Sequence, residues 1–276
     1  KHAVACVNGT SALQVSLRLV GVEAGDEVIV ATLTFIAPIN AVLYNGATPI
    51  FMDADSFYNM DVEKTIEFIK EKTVFKNGTS FNKNTQAKIS AILPVHVWGN
   101  AVWLDELIPL CKERNIAVIE DASESLGTFY KKGKYKGKYT GTLGQLGCLS
   151  FNGNKIITTG GGGMILTDDK KLAEKARYLS TQAKDDPEQY VHYEIGYNFR
   201  LTNIQAAIGL GQLENIEELL KKRISLANNY KKLISDVEKI SLPKVLDPKP
   251  NCQHSFQTYV VYVEDRDRIM GEMRSK

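Results

Sequence analysis

The sequence predicts an α/β fold, a mostly parallel central sheet with helices on both faces. Short apolar runs alternate with amphipathic stretches almost from the first residue, and the runs have the length of buried strands. Several of them end in glycine, hydroxyl or carboxylate residues, at the strand ends where open parallel sheets hold ligands. A chain of 276 residues is long enough to bury a large core and favours roughly two domains.

The elements follow in order. "HAVACV" reads as a strand, and "SALQVSLRLVGV" puts Leu13, Leu17 and Val20 on one helical face. Gly25 and Asp26 turn the chain into the strand "EVIVA". The helix "FIAPINAVLYNG" is closed by Gly46, "PIFMDA" is the next strand, and Asp61 caps the helix "DVEKTIEFIKEK". Residues 73–87 are polar and aperiodic and read as an exposed insertion. The strand "KISAILPVHV", the helix "WLDELIPLCKERN" and the buried strand "IAVIEDA" come next, followed by "GCLSFNG" and "GGMILTDD" as two strands around a glycine run. Helical periodicity returns in "KKLAEKARYLSTQA" and in a long region beginning "TNIQAAIGLGQLE", with a break or bend expected near Gly211. Two strand-like stretches then flank a loop holding Pro243, Pro248 and Pro250.

The long helical region reads as a bridge from a large domain, 1–215, into the start of a smaller C-terminal α+β domain, 216–276. The chain opens at Lys1 and stops in a charged run soon after "TYVVYVE", itself read as a strand, so it looks like a piece of a longer polypeptide.

Composition narrows the function classes. Hydrophobic content of 43% and charged content of 24% are ordinary for a globular protein, and no apolar run approaches the roughly 18 residues of a membrane span. A net charge of +2, from 34 basic and 32 acidic side chains, gives no field to gather nucleic acid or an anionic membrane. The densest basic patch, 131–139, reads as a solvated hairpin tip turning at Gly133 and Gly137. Cys6, Cys111, Cys148 and Cys252 show no disulfide or metal spacing, which suits a reducing cytoplasm, and the four dispersed histidines give no metal site.

Three strand ends hold groups that can do chemistry. "NGTSAL", 8–13, turns directly into a helix, so its amides and the Thr10 and Ser11 hydroxyls form either an anion site or an ordinary turn with its N-cap. In "VIEDASE", 118–124, Asp121 ends an apolar strand and needs compensation for its desolvation. A cationic heterocycle would serve, as would a turn amide or an arginine. In "SFNGNKIITTGGGGMI", 150–165, Ser150 and Lys155 bring a phosphate ligand and an amine close together, although a lone lysine is more often plain surface charge. Gly160 to Gly163 precede a strand and open no helix, so neither a dinucleotide fingerprint nor a P-loop is supported.

Taken in order and spacing, these three segments, with "EVIVATLTFIAPINAVLYNGATPIFMD", "LPVHVWGN" and "EIGYNFRLTNIQAAIGLGQLE", resemble the DegT-type nucleotide-sugar aminotransferases. That branch belongs to fold type I of the pyridoxal 5'-phosphate (PLP) enzymes, the aspartate aminotransferase-like fold. The resemblance covers about residues 1–235 and implies further family segments at both ends. It implies that Lys155 carries PLP as a Schiff base and shuttles a proton, and that Asp121 keeps the pyridine nitrogen protonated. Gly9, Thr10, Ser11 and Ser150 would hold the phosphate, and Phe35 would stack on the ring. Asn198 would reach the phosphate in the neighbouring subunit, which makes a homodimer with shared active sites the expected unit. Glu124 stands where many relatives have glutamine or histidine. Together with the glycine run it resembles the subgroup that aminates C4 of UDP-4-keto-6-deoxy-N-acetylglucosamine, with L-glutamate as donor, on routes to legionaminic acid or bacillosamine. Two alternatives are a PLP-dependent sugar dehydratase, in which histidine replaces the Schiff-base lysine, and a non-catalytic PLP-binding regulatory protein.

Overall fold

The computed structural model describes residues 1–186, 188–237, 239–244 and 252–275. The first half runs β1 (His2–Cys6), α1 (Gly9–Leu19), β2 (Glu27–Ala31), α2 (Ile36–Tyr44), β3 (Thr48–Met52), α3 (Val62–Glu71), β4 (Thr73–Lys76), β5 (Thr79–Asn82), β6 (Ile89–Leu93), α4 (Leu107–Glu113) and β7 (Ala117–Asp121). The second half runs β8 (Phe129–Tyr130), β9 (Leu146–Ser150), β10 (Gly163–Thr167), α5 (Lys170–Ser180), α6 (Asn203–Glu214), α7 (Ile216–Ile234), β11 (Ile240–Ser241), β12 (Cys252–Gln253), β13 (Tyr262–Val263) and α8 (Arg266–Arg274).

Seven strands form the central sheet in the order β1-β10-β9-β7-β6-β2-β3. From β9 to β3 every pairing is parallel, while β10 is antiparallel to both of its neighbours. The predicted α/β architecture is therefore correct, with β10 as its one reversed strand. Both faces are covered, which is why β2 and β6 are buried along their whole length. Strand alternation sends Val28 and Val30 into the core that includes α1 and α5, and Ile29 and Ala31 into the opposite core that includes α3 and α4.

Four local readings change. The segment read as an exposed insertion carries an ordered hairpin, β4–β5, turning at Asn77 and Gly78 with φ of 51° and 79°. The hairpin is anchored, since Ser80 Oγ donates to the Arg114 carbonyl at 2.6 Å and Asn82 Nδ2 donates to buried Glu27 at 2.8 Å. The long helical region continues through Gly211 and breaks at Asn215, whose Nδ2 donates to the Gly211 carbonyl at 2.8 Å. Helix α4 starts at Leu107, after a turn, and so is shorter than its apolar pattern suggested. In "TYVVYVE" only Tyr262 and Val263 form a strand. Pro248 and Pro250 lie outside the described residues. Among the described residues no helix is long and apolar enough to cross a membrane.

Candidate active site

A cavity of about 700 Å³ opens at the C-terminal edge of the sheet. Its wall comes from the turns that follow β1, β2, β6, β7 and β9 and from the first turns of α1 and α2. All five strands run in the same direction, so the sheet delivers five chain-distant loops to one place. Gly9, Thr10, Phe35, Asp121, Glu124, Ser150 and Lys155 line this cavity. Ser11 and Asn198 do not. Ser11 is buried one residue further into α1, with its N–H donated to Asn8 Oδ1 at 2.8 Å. Asn198 is exposed on a loop bridged to Thr181 and accepts from Arg200 Nε at 3.1 Å.

Helix α1 begins at Gly9 because Asn8 caps it in an extended conformation. The free amides of its first turn therefore face the cavity with the positive end of the helix. A Cβ on Gly9 would stand 2.9 Å from Ser150 Cβ and 3.2 Å from both Ser123 Oγ and Ser150 Oγ. Glycine is what lets these two hydroxyls converge on the helix start.

At the other end of the cavity the side chains are charged. Strand alternation at the end of β7 turns Asp121 into the cavity, while Glu120 faces the other way. Burial pushes the Asp121 carboxyl above its ordinary value. Hydrogen bonds from Ser123 and the charge of Lys155 oppose that rise, whereas the charge of Glu124 adds to it. Lys155 Nζ lies 3.4 Å from Glu124 Oε1, with both side chains largely covered. The other oxygen of Glu124 accepts from the Trp98 N–H at 2.9 Å. Trp98 occupies a left-handed turn at φ 56° and, like Thr34, lines the cavity.

Glu120 is fully buried behind this wall. It accepts from His96 Nε2 at 2.9 Å and from the amides of Gly141, Leu143 and Gly144 at 2.6 to 2.9 Å. His96 Nδ1 accepts from the Val102 N–H at 3.1 Å, so Nε2 carries the proton donated to Glu120. Burial raises the Glu120 carboxyl, but the hydrogen bond from His96 and the backbone amides outweigh it and hold the group below its ordinary value.

The model of the DegT/DnrJ/EryC1/StrS aminotransferase family matches residues 1–276. The chain belongs to that family. It is 41% identical over 279 residues to the GDP-perosamine synthase of Escherichia coli O157:H7, covering 100% of this chain and 70% of that relative. It is 40% identical over 242 residues to EpsN of Bacillus subtilis, covering 86% of this chain and 58% of that protein. Among solved structures, DesV of S. venezuelae superposes with a TM-score of 0.84 at 28% identity, over 100% of this chain and 68% of its own. The chain thus spans roughly three-fifths to seven-tenths of the length of these relatives.

As a DegT-family member the chain is a PLP-dependent aminotransferase, of a family that acts on nucleotide sugars, and PLP is its cofactor. The residues present fit that group. Two carboxylates against one lysine leave the cavity in need of a cation, which a protonated pyridine provides. The amides at the start of α1, with the hydroxyls around Gly9, suit a phosphate. Thr34 Oγ1, buried on the same wall, has no partner among the described residues and is a further free hydroxyl there. The sequence reading did not pick out Trp98, Ser123 or Thr34. "LPVHVWGN" contained the one available signal, an aromatic beside a glycine just past a strand end.

Proposed function

We propose that the protein moves an amino group from glutamate to the C4 keto group of a nucleotide-linked 4-keto-6-deoxy sugar, releasing 2-oxoglutarate. The acceptor favoured by the sequence is UDP-4-keto-6-deoxy-N-acetylglucosamine. The observation that carries the aminotransferase reading is the Lys155 amine in one cavity with Asp121, and 3.4 Å from Glu124.

PLP, when bound, supplies an aldehyde that condenses with amines and a ring that accepts the electron pair of a broken C–H bond. In this reading Lys155 is the amine that holds it covalently. Once freed, Lys155 Nζ would be the base that takes a proton from the donor carbon and holds it for return. Asp121 would hold the protonated pyridine, a cation that would offset the burial that raises its carboxyl. Gly9, Thr10 and Ser150 line the cavity and would hold the phosphate, with Ser11 behind them, and Phe35 would pack against the ring. Glu124 keeps the lysine aligned by tying it to the Trp98 turn.

A homodimer is part of the proposal, with Asn198 reaching the partner's phosphate site. It is supported by α6, which has no buried residue although Ile204, Ile208, Leu210 and Leu213 all lie exposed along it. The limit between the PLP-binding domain and the smaller domain is set at the helix break at Asn215. Four unpaired, buried thiols favour the cytoplasm as its compartment.

A second reading takes a GDP-linked keto sugar as acceptor. It is favoured by relatives named GDP-perosamine synthase at 41% and 39% identity. One experiment tests the reading and separates the two acceptors. Protein loaded with PLP is given glutamate and then UDP-linked or GDP-linked 4-keto-6-deoxy sugar, and amino-sugar formation is followed. Lys155→Ala is expected to form no product with either. Turnover of neither sugar by the unaltered protein would overturn the function, and preference for the GDP-linked sugar would replace the UDP assignment.

A further inference from the structure

Lys155 is followed by Ile156 and Ile157, which are buried in a cluster packed against α7, but its own main chain has few local hydrogen bonds. Gly153 precedes it, four glycines follow soon after, and within its own segment the Lys155 N–H reaches only the Asn152 carbonyl, at 3.0 Å. A further restraint on its main chain comes from a segment 100 residues further along the chain. Gln257 Nε2 donates to the Asn154 carbonyl at 2.5 Å, and the Gln257 N–H donates to the Trp98 carbonyl at 3.0 Å. The Gln257 carbonyl accepts from Arg223 Nη1 at 3.1 Å, and Nη2 of that guanidinium reaches the Lys155 carbonyl at 3.5 Å. Gln257 is 6% exposed, and its backbone approaches Gly99 so closely that a Cβ there would meet Gln257 N at 3.2 Å.

We propose that Gln257, braced by Arg223, is a positioning residue for Lys155. It fixes the spacing between the Lys155 segment and the Trp98 turn, and through the Trp98 N–H it fixes Glu124. The side chains of Lys155 and Glu124 meet only if these two main-chain segments stay in register, and Gln257 bonds to both. This inference rests on the reading of Lys155 as the residue that binds PLP. It adds a structural link from α7 and the segment after β12 to the lysine.

The test compares the unaltered protein with Gln257→Leu and Gln257→Glu. The first removes the donor, and the second keeps the side-chain length but sets an acceptor against the Asn154 carbonyl. PLP affinity, the rate of borohydride trapping of PLP on Lys155, hydrogen exchange over 153–156 and the thermal midpoint are measured. Loss of one buried hydrogen bond at the attachment point is expected to weaken PLP binding and slow trapping by about tenfold. Exchange over 153–156 should quicken, with the thermal midpoint within about 3 °C. Affinity and trapping within twofold of the unaltered protein would remove the positioning role alone. A loss that tracks a fall in midpoint beyond about 5 °C would remove it too, as a plain stability effect. If Gln257→Leu does not fold, Gln257→Glu decides by the same readings. Failure to trap PLP on Lys155 in the unaltered protein would sink the cofactor role of Lys155 together with this inference.

Discussion

Glu124 joins two parts of the cavity wall at once: Oε1 lies 3.4 Å from Lys155 Nζ, and Oε2 accepts the Trp98 N–H at 2.9 Å. Glutamine keeps one of these contacts and alanine keeps neither. Glu124→Gln is therefore expected to retain activity within about tenfold of the unaltered protein, and Glu124→Ala to lose about a hundredfold. Steady-state kinetics with glutamate as donor check the order, and equal losses would refute the bridging role.

Asp121 opposes folding and serves binding. Its carboxyl is raised in the folded chain, so between its unfolded and folded values the native state binds more protons than the unfolded one, and stability is lost as pH rises through that window. Asp121→Asn should then raise the thermal midpoint of the PLP-free protein at pH 7 by roughly 2–4 °C, an effect that fades at acid pH, while weakening PLP binding. Scanning calorimetry at two pH values, with and without PLP, measures both. A lower midpoint at pH 7 without PLP would contradict it.

Glu120 has the opposite sign. Its depressed carboxyl gives stability that is present above the unfolded carboxylate value and lost as pH falls through the folded one. Glu120→Gln leaves buried amides at the turn 141–144 imperfectly matched and is expected to cost about 3 kcal/mol at neutral pH. Urea unfolding between pH 3 and 7 should show the difference shrinking toward acid.

Gly9→Ala brings a methyl to 2.9 Å from Ser150 Cβ at a helical backbone angle that alanine tolerates well. The consequence is steric and confined to the phosphate end. PLP affinity should fall by about tenfold or more with little change in helix content, as read by equilibrium dialysis and circular dichroism.

The exposed apolar side chains of α6 give a further measurable surface. Ile204→Glu combined with Ile208→Glu, one turn apart on the same side of α6, places charge where a second copy would sit, and should turn a dimer into monomers in light scattering. An unchanged mass would move the dimer contact elsewhere.

Much of the fold is readable from the sequence because buried parallel strands are nearly all apolar. "EVIVA" and "KISAILPVHV" announce themselves, and the turn after each of them lines the cavity. Asp121 and Lys155 stand out as polar groups at the ends of such runs. The hairpin at 73–82 escapes that reading although Asn77–Gly78 is a strong turn signal, because its strands are short, its Val74 and Phe75 are left exposed, and it is held by Ser80 and Asn82 rather than by an apolar face. The roles of Trp98 and Gln257 are not legible, since each acts through main-chain hydrogen bonds to residues far away in the chain. Period-2 alternation requires Glu120 and Asp121 to face opposite ways, but His96 and the loop 141–144 decide which one turns away from the cavity.

The reversal of β10 sets a timetable for synthesis. Among the described residues strand β1 joins the sheet by pairing with β10, His2 against Thr167, so it waits for about 160 further residues to leave the ribosome. Until then the Asn8–Thr10 turn has no Ser150 to face. If PLP is held there as proposed, it would find both sides of that cradle only in a chain whose sheet has already closed on that edge, so cofactor capture would report closure of the sheet.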